Sequence, residues 1–494
     1  MTAAAVDDRR AESRGSALLL FLAVVAAAAP LYKGGNRPLP LMALELAALA
    51  LLFALFAVRR EPLSAALRMP ASLAIAIGLL LVYPLLQLVP LPAGLWAELP
   101  GHEPYAAIVA RFGDAAPALR PVSLLPARTL ASWLALLPPL ACLVGMLSLS
   151  PSNATRLLVC MSVVAGAEGV LGLMQAGAGD MFSFAPRERY EANIATGTFV
   201  NKNHFAALLA MVLPVLIALL IRRIRPGHLE RRAPAVGESA AQVALLSCST
   251  LVVLVCLVFT RSRAGIATAG IGLAFLFVCV ALARRSAAAR GPRRGVAWIV
   301  AAIAAIGIAI AVALVAMTGA PVTSRLAPGT VSLDLASRVA MYTSTLRAGL
   351  EFLPFGSGLG TFPDVYPRFQ PVTGPVAVSG FVNHAHNDYL EAFMELGVVA
   401  PLVVLLLLRA YVGRLWSLVR GDDGRGFTLL QIAAGLGLLP AILHSALDFP
   451  LHMPANAMWF ALLAGVLFHE RAPQGVPVTA GRALDAVPVR AGGP

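Results

Sequence analysis

Residues 39–58 read LPLMALELAALALLFALFAV, twenty positions with a single ionisable side chain. A helix rises 1.5 Å per residue, so such a block spans about 30 Å, the thickness of a bilayer's hydrocarbon core. Comparable blocks recur near 16–32, 39–58, 70–90, 129–148, 156–177, 203–221, 241–259, 264–283, 296–317, 396–412, 427–446 and 455–469. In lipid, only an α-helix or a closed barrel satisfies its own backbone hydrogen bonds. The blocks are continuously apolar rather than alternating, which argues against a barrel. Hydrophobic residues make up 59% of the 494 and charged residues 13%, against about 25% charged in a soluble domain. The pattern predicts an all-α polytopic membrane protein with about twelve transmembrane helices.

Arg and Lys placement sets the orientation. Arg9, Arg10 and Arg14 precede the first block, which reads as a signal anchor. Arg222, Arg223, Arg225, Arg231 and Arg232 fill one gap. Arg284, Arg285, Arg290, Arg293 and Arg294 fill a second, and Arg409, Arg414, Arg420 and Arg425 a third. With twelve spans, all three gaps fall on the side of the N-terminus, which is therefore expected to be cytoplasmic. The expected organisation is a cytoplasmic N-terminus at 1–15, transmembrane helices one to nine over 16–317, and a large periplasmic loop with short helices over 318–395. Helices ten to twelve follow over 396–469, then a disordered cytoplasmic tail over 470–494. The net charge of +13 suits loops beside anionic headgroups. Membrane lipid is thus an expected partner and nucleic acid is not. Cys142, Cys160, Cys248, Cys256 and Cys279 all lie within blocks, with no CxxC pair. They read as small buried apolar residues rather than disulfide or zinc ligands.

The opposite face collects the unusual polar residues. NKNH places Asn201, Lys202, Asn203 and His204 at the outer end of the sixth block. TRSRAG places Arg261, Ser262 and Arg263 in a short outer hairpin, against the positive-inside bias. In the long loop, Leu335, Val339, Tyr342, Leu346 and Leu350 have helical spacing, with Asp334 as the expected N-cap. GSGLG at 356–360 reads as a tight turn, since no strand precedes it and no P-loop lysine follows. NHAHND, 383–388, sets His384, His386, Asn387 and Asp388 directly before an apolar helical run. Glu391 and Glu395 follow at i, i+4, reading as a hydrated face or a pair with a nearby Arg. HSALDFPLHMPANA brings His444, Asp448 and His452 to the outer ends of the last two blocks, where Asp448 is a candidate to orient a histidine.

Ionisable groups at the hydrocarbon boundary are costly and usually mark a site. A guanidinium fork matches phosphate oxygens, and imidazole suits proton transfer near neutral pH. Together they describe transfer from a lipid pyrophosphate to a hydroxyl. His384, His386 and Asp388 also have metallohydrolase spacing. The helical pattern from Asp388 onward and the lack of a closed ligand set argue against it. No metal and no cofactor is expected.

The order of these segments resembles the O-antigen ligase and Wzy polymerase superfamily. The carrying residues are GTFVNKNHFAALLA, TRSRAG, SRVAMYTSTLRAGLEFLPFGSGLGTF and HAHNDYLEAFMELGVVAP, over about 196–400. HSALDFPLHMPANA is similar to the closing segment of such chains. The resemblance implies a GT-C type glycosyltransferase in the bacterial inner membrane, its active site facing the periplasm. The implied donor is a glycan on undecaprenyl diphosphate. The implied acceptor is lipid A-core for a ligase, a growing polysaccharide for a polymerase, or a protein hydroxyl. By position, the resemblance assigns the essential histidine to His386, with His384 second, and functional arginines to Arg263 and Arg338. Arg261 and Lys202 join them as pyrophosphate ligands from charge and location alone. Asn387, Asn203, His204 and Asp448 are supporting residues. The alternative is a lipid-linked glycan flippase. Transporters, however, tend to show internal repeats and midplane polar groups, and only the acids Glu45 and Glu168 lie well inside blocks.

Overall fold

Apolar blocks become helices because a helix closes its own hydrogen bonds where no water can. The computed structural model describes residues 3–58, 69–115, 117–178, 193–224, 236–287, 328–371, 380–421 and 426–470. Within them, helices occupy eleven of the twelve blocks. The block at 296–317, most of the tail and much of the basic gaps lie outside the described residues. The chain begins with α1 (Ala3–Ala28), α2 (Pro38–Val58) and α3 (Ala71–Leu86). A small insert follows: β1 (Pro90–Pro92), α4 (Ala93–Glu98), α5 (Glu103–Val109) and β2 (Leu119–Pro121). The two strands pair antiparallel, with Leu91 opposite Arg120. Next come α6 (Pro126–Leu134), α7 (Leu137–Ser148), α8 (Pro151–Ala178), α9 (Lys202–Ile224), α10 (Val236–Phe259) and α11 (Arg263–Ala287). The remainder holds α12 (Pro328–Glu351), α13 (Phe362–Val365), α14 (Asp388–Leu396), α15 (Val399–Arg420), α16 (Gly426–His444) and α17 (Pro454–Phe468).

Among the described residues, seven helices are long and apolar enough to cross a membrane: α2, the α6–α7 pair taken as one, α8, α9, α10, α15 and α16. α3, α11 and α17 are shorter apolar helices. Among the described residues this is an all-α polytopic membrane protein apart from one two-stranded ribbon. Two local expectations are corrected. The block at 129–148 is broken at Ala135–Leu136, because Pro138 and Pro139 fall in the first turn of α7, where a missing N–H is tolerated. Asp334 does not cap α12 but lies inside it. Pro328, at the first helical position, starts the helix earlier.

The bundle is organised around α9. Every residue from His204 to Ile221 is buried, and α8, α10, α11, α16 and α17 all pack against it. Helices in lipid gain little from apolar exclusion and associate through close approach of small residues. Gly437 of α16 illustrates this, since a Cβ there would lie 2.3 Å from the Met211 carbonyl oxygen of α9. Along α8, Gly166, Gly169 and Gly172 face Ser249, Val252 and Cys256 of α10. Cys142 and Cys256 are buried as expected, whereas Cys248 is exposed; all five cysteines are free.

A second, smaller core joins α12, α13, α14 and Ala385, through Met341, Phe352, Phe362, Tyr366 and Met394. GSGLG is a turn, with Gly356, Gly358 and Gly360 all at positive φ. A Cβ on Gly356 would meet the Glu395 carbonyl at 2.3 Å, so this turn lies directly on the end of α14. Buried Gln87, just past α3, donates to the carbonyls of Phe355 and Glu395 at 2.9 and 2.8 Å. It ties the smaller core to the bundle.

Candidate active site

Asn387 is the hinge of the site. Its side chain caps α14, accepting from the N–H groups of Tyr389 and Leu390 at 3.0 and 3.1 Å. Such caps stabilise a helix by about 1 kcal/mol. The Asn387 amide also donates to the Ala446 carbonyl at 3.0 Å, and Asp388 N–H donates to Ser445 at 2.8 Å. The start of α14 therefore clasps the end of α16. His386, immediately before the cap, has φ 50°, a left-handed conformation that costs a non-glycine residue roughly 1–2 kcal/mol. Its carbonyl accepts from the Tyr342 hydroxyl of α12 at 2.8 Å.

The His386 ring pairs through Nδ1 with Asp448 Oδ1 at 2.9 Å. Asp448 is 1% exposed, and His386 is 34% exposed. Asn203 donates to the other Asp448 oxygen at 2.6 Å, and Phe449 N–H donates to Oδ1 at 3.0 Å. His204 Nε2 stands 3.9 Å from Oδ1. Burial works to raise the Asp448 carboxyl, but the His386 hydrogen bond and the surrounding histidines hold it below its ordinary value. Asn203 and the Phe449 N–H donate to its oxygens as well, which favours the ionised form. Arg338 donates to the carbonyl of Leu447, one residue away, and lies beside the Tyr342 hydroxyl.

A neighbouring cluster forms around Glu391, which is buried. His384 Nδ1 lies 2.8 Å from Glu391 Oε1, and His452 Nε2 lies 3.2 Å from the same oxygen. Ala385 N–H donates to Glu391 Oε2 at 2.7 Å. His452 Nδ1 pairs with Asp388 at 2.7 Å. Burial would raise Glu391, yet His452 and His384 depress it. Burial would lower His452, yet Glu391 and Asp388 raise it well above its ordinary value. Phe449 stands between the two clusters. Its ring stacks on His384 at 4.3 Å and meets His204 and His386 edge-on at 4.5 and 4.9 Å.

The segment leading into α9 is held from α8. Thr198 donates to Glu168 through N–H and hydroxyl at 3.0 and 2.8 Å. Gln175 donates to the Gly197 carbonyl at 2.7 Å. Asn201 then accepts from Asn203 N–H at 2.8 Å where α9 begins. The mid-block Glu168 thus anchors the loop that carries Asn203. The hairpin holds Arg261 at φ 52°, and Arg263 opens α11. A Cβ on Gly265 would lie 2.5 Å from Ala206, so the start of α11 rests on the N-terminal part of α9.

The structure therefore joins Asn203, His204, Arg338, His384, His386, Asn387 and Asp448 in one cluster; Arg263 lies at the start of α11, with Arg261 just before it, and Lys202 at the start of α9. One reading of the motif changes. Glu391 and Glu395 are neither hydrated nor paired with an arginine: Glu391 binds histidines, and Glu395 accepts from Phe362 N–H at 2.9 Å. Burial, with Glu391 adding to it, pushes Glu395 up to about 8. The His384, His386, Asp388 triplet does not converge, since its members face Glu391, Asp448 and His452 respectively. The sequence shows Tyr342 only as a helix-face residue and gives no sign of the place of Phe449 or of the pairing of Glu391 with His452. The available signal was histidine scarcity: five of eight histidines (204, 384, 386, 444 and 452) fall in three short segments.

Fold and site together define a multi-pass helical membrane protein with an imidazole–carboxylate–guanidinium cluster where helix ends meet. Residues 248–405 match the family model described as O-antigen ligase. That match supports the O-antigen ligase/Wzy family for this chain, and with it a ligase- or polymerase-type membrane enzyme. The matched stretch includes Arg261, Arg263, Arg338, His384 and His386, while Asp448 and His452 lie beyond it. No curated protein matches the chain.

Proposed function

We propose that the protein transfers a glycan from undecaprenyl diphosphate to an acceptor hydroxyl on the periplasmic side of the inner membrane, as an O-antigen ligase or polymerase of GT-C type. The observation that carries this reading is the pairing of His386 Nδ1 with the buried carboxylate of Asp448. An Nδ1–H donated to Asp448 leaves the lone pair on Nε2, the nitrogen that accepts the hydroxyl proton. The acceptor oxygen then bonds to the anomeric carbon as the bond from that carbon to the pyrophosphate oxygen breaks. Undecaprenyl diphosphate leaves with the electron pair. Asp448 stabilises the imidazolium that forms. Arg338 and Arg263, with Arg261 and Lys202, hold the pyrophosphate and meet its developing charge. One such well-placed donor contributes roughly 3–4 kcal/mol. We read twelve spans, with 318–395 outside, so the polyprenyl tail stays in lipid while its sugar meets the acceptor in water. Ligase and polymerase differ only in the acceptor, lipid A-core or growing polysaccharide.

The test is His386→Ala, inserted at normal levels in proteoliposomes with a lipid-linked glycan donor. Loss of the base predicts a fall in transfer of about 10²–10⁴. Near-normal product from this variant removes His386 from the reaction.

A further inference from the structure

Three donors, two from the 384–391 stretch and one from the turn before α17, gather beside the proposed active site. His384 Nδ1, His452 Nε2 and Glu391 Oε1 all lie within 4.8 Å of one another. Their separations from Glu391 Oε1 are 2.8 and 3.2 Å. A tetrahedral zinc ion bound at about 2.0–2.1 Å has ligand atoms roughly 3.3 Å apart, so little movement is needed to admit it. We propose that His384, Glu391 and His452 bind one divalent cation of the zinc class, with Asp388 orienting His452 from its other nitrogen. The inference does not depend on the transfer reading.

Four features fit a cation. Two imidazoles and one carboxylate form a ligand set that zinc takes with a fourth position open, whereas magnesium and calcium prefer oxygen-only shells. The Asp388 carboxylate sits 2.7 Å from His452 Nδ1, the carboxylate–histidine arrangement that fixes the ring of a metal ligand. Ala385 N–H holds Glu391 Oε2 at 2.7 Å, which leaves Oε1 to ligate alone. The Phe449 ring, stacked on His384, closes the apolar side, while His384 and His452, 21% and 33% exposed, leave an entry path.

The cation has a positioning role. It links the segment before α14, α14 itself and the turn at Pro450–His452. His386 lies between His384 and Asp388, and Asp448 lies four residues before His452. One ion thus fixes both strands of chain that bring His386 and Asp448 together, from the far side of Phe449.

The full-length protein in detergent is stripped with a chelator, dialysed and titrated with Co²⁺. The expected result is a visible d–d band saturating at one equivalent and displaced by Zn²⁺. Glu391→Gln and His452→Asn abolish the band, Asp388→Asn weakens binding roughly 10–100-fold, and His386→Ala leaves it intact. X-ray absorption of the wild-type zinc complex needs no variant, and two imidazoles with a carboxylate are expected. Absence of Co²⁺ binding overturns the site, leaving a protonated His452 bridging two carboxylates. A sulfur-dominated shell, or one equivalent bound undiminished by both Glu391→Gln and His452→Asn, overturns it equally.

Discussion

At the scale of single residues, the decisive pairing is the one between His386 and Asp448, 62 positions apart. Asp448→Asn keeps the shape but removes the charged acceptor of the imidazole. Hydrogen bonds to charged groups contribute about 1.5–3 kcal/mol, so transfer is expected to fall roughly 10–100-fold with little change in thermal midpoint. Initial rates in proteoliposomes measure this; an unchanged rate detaches Asp448 from the histidine. Glu395 gives a pH prediction of definite sign. Its value in the fold, about 8 against an ordinary 4.5, means that the folded state favours the protonated carboxyl. Stability is full below about pH 4.5 and declines as pH rises to about 8, since the unfolded chain gives up that proton first. Glu395→Gln, which mimics the neutral form, flattens that decline in unfolding midpoints measured across the range. The sequence made His386 legible, because a histidine before an Asn cap and an apolar helix is conspicuous. Its partner was visible only as a candidate, because nothing local fixes which of several histidines a distant carboxylate will meet. The burial of Glu391 was hidden for the same reason: i, i+4 spacing names a face of a helix, not what covers it.

At the scale of elements, apolar length was the reliable guide, and turn and cap chemistry was less so. Helices stand where the blocks were read, but prolines moved their ends, as Pro328 and Pro138 show. GSGLG was legible as a turn because glycine readily takes positive φ. Its contact with α14 was not, since that depends on a neighbour some forty residues on. Gly356→Ala tests the contact. A methyl group there meets the Glu395 carbonyl at 2.3 Å, on a backbone at φ +76°, and strain of this kind costs about 1–3 kcal/mol. Gly78→Ala, in α3 with nothing within 4 Å, is the control and is expected to be neutral or stabilising by up to about 1 kcal/mol. Thermal unfolding of the two variants separates them. Equal midpoints show that the turn does not bear on α14.

At the scale of the whole molecule, Arg placement predicts that four polar segments share a face of the bilayer. The hydrogen bonds that join three of them, NKNH, NHAHND and HSALDF, were beyond it, because helix order around α9 is set by small-residue contacts that hydropathy does not record. The proposed orientation predicts that Phe381→Cys, exposed in the segment before α14, reacts with an impermeant maleimide in intact cells when the five native cysteines are replaced. Arg223→Cys, at the far end of α9, reacts only after permeabilisation. The reverse pattern inverts the protein. The enclosure of α9 carries one more consequence. A helix wrapped by protein from His204 to Ile221 has no acyl chains against it, so hydrophobic mismatch acts on the outer ring of helices and not on the mast that bears Asn203 and His204. Transfer rates measured in vesicles of short-chain and long-chain phosphatidylcholine are therefore expected to differ little, with the surrounding helices tilting about a fixed centre.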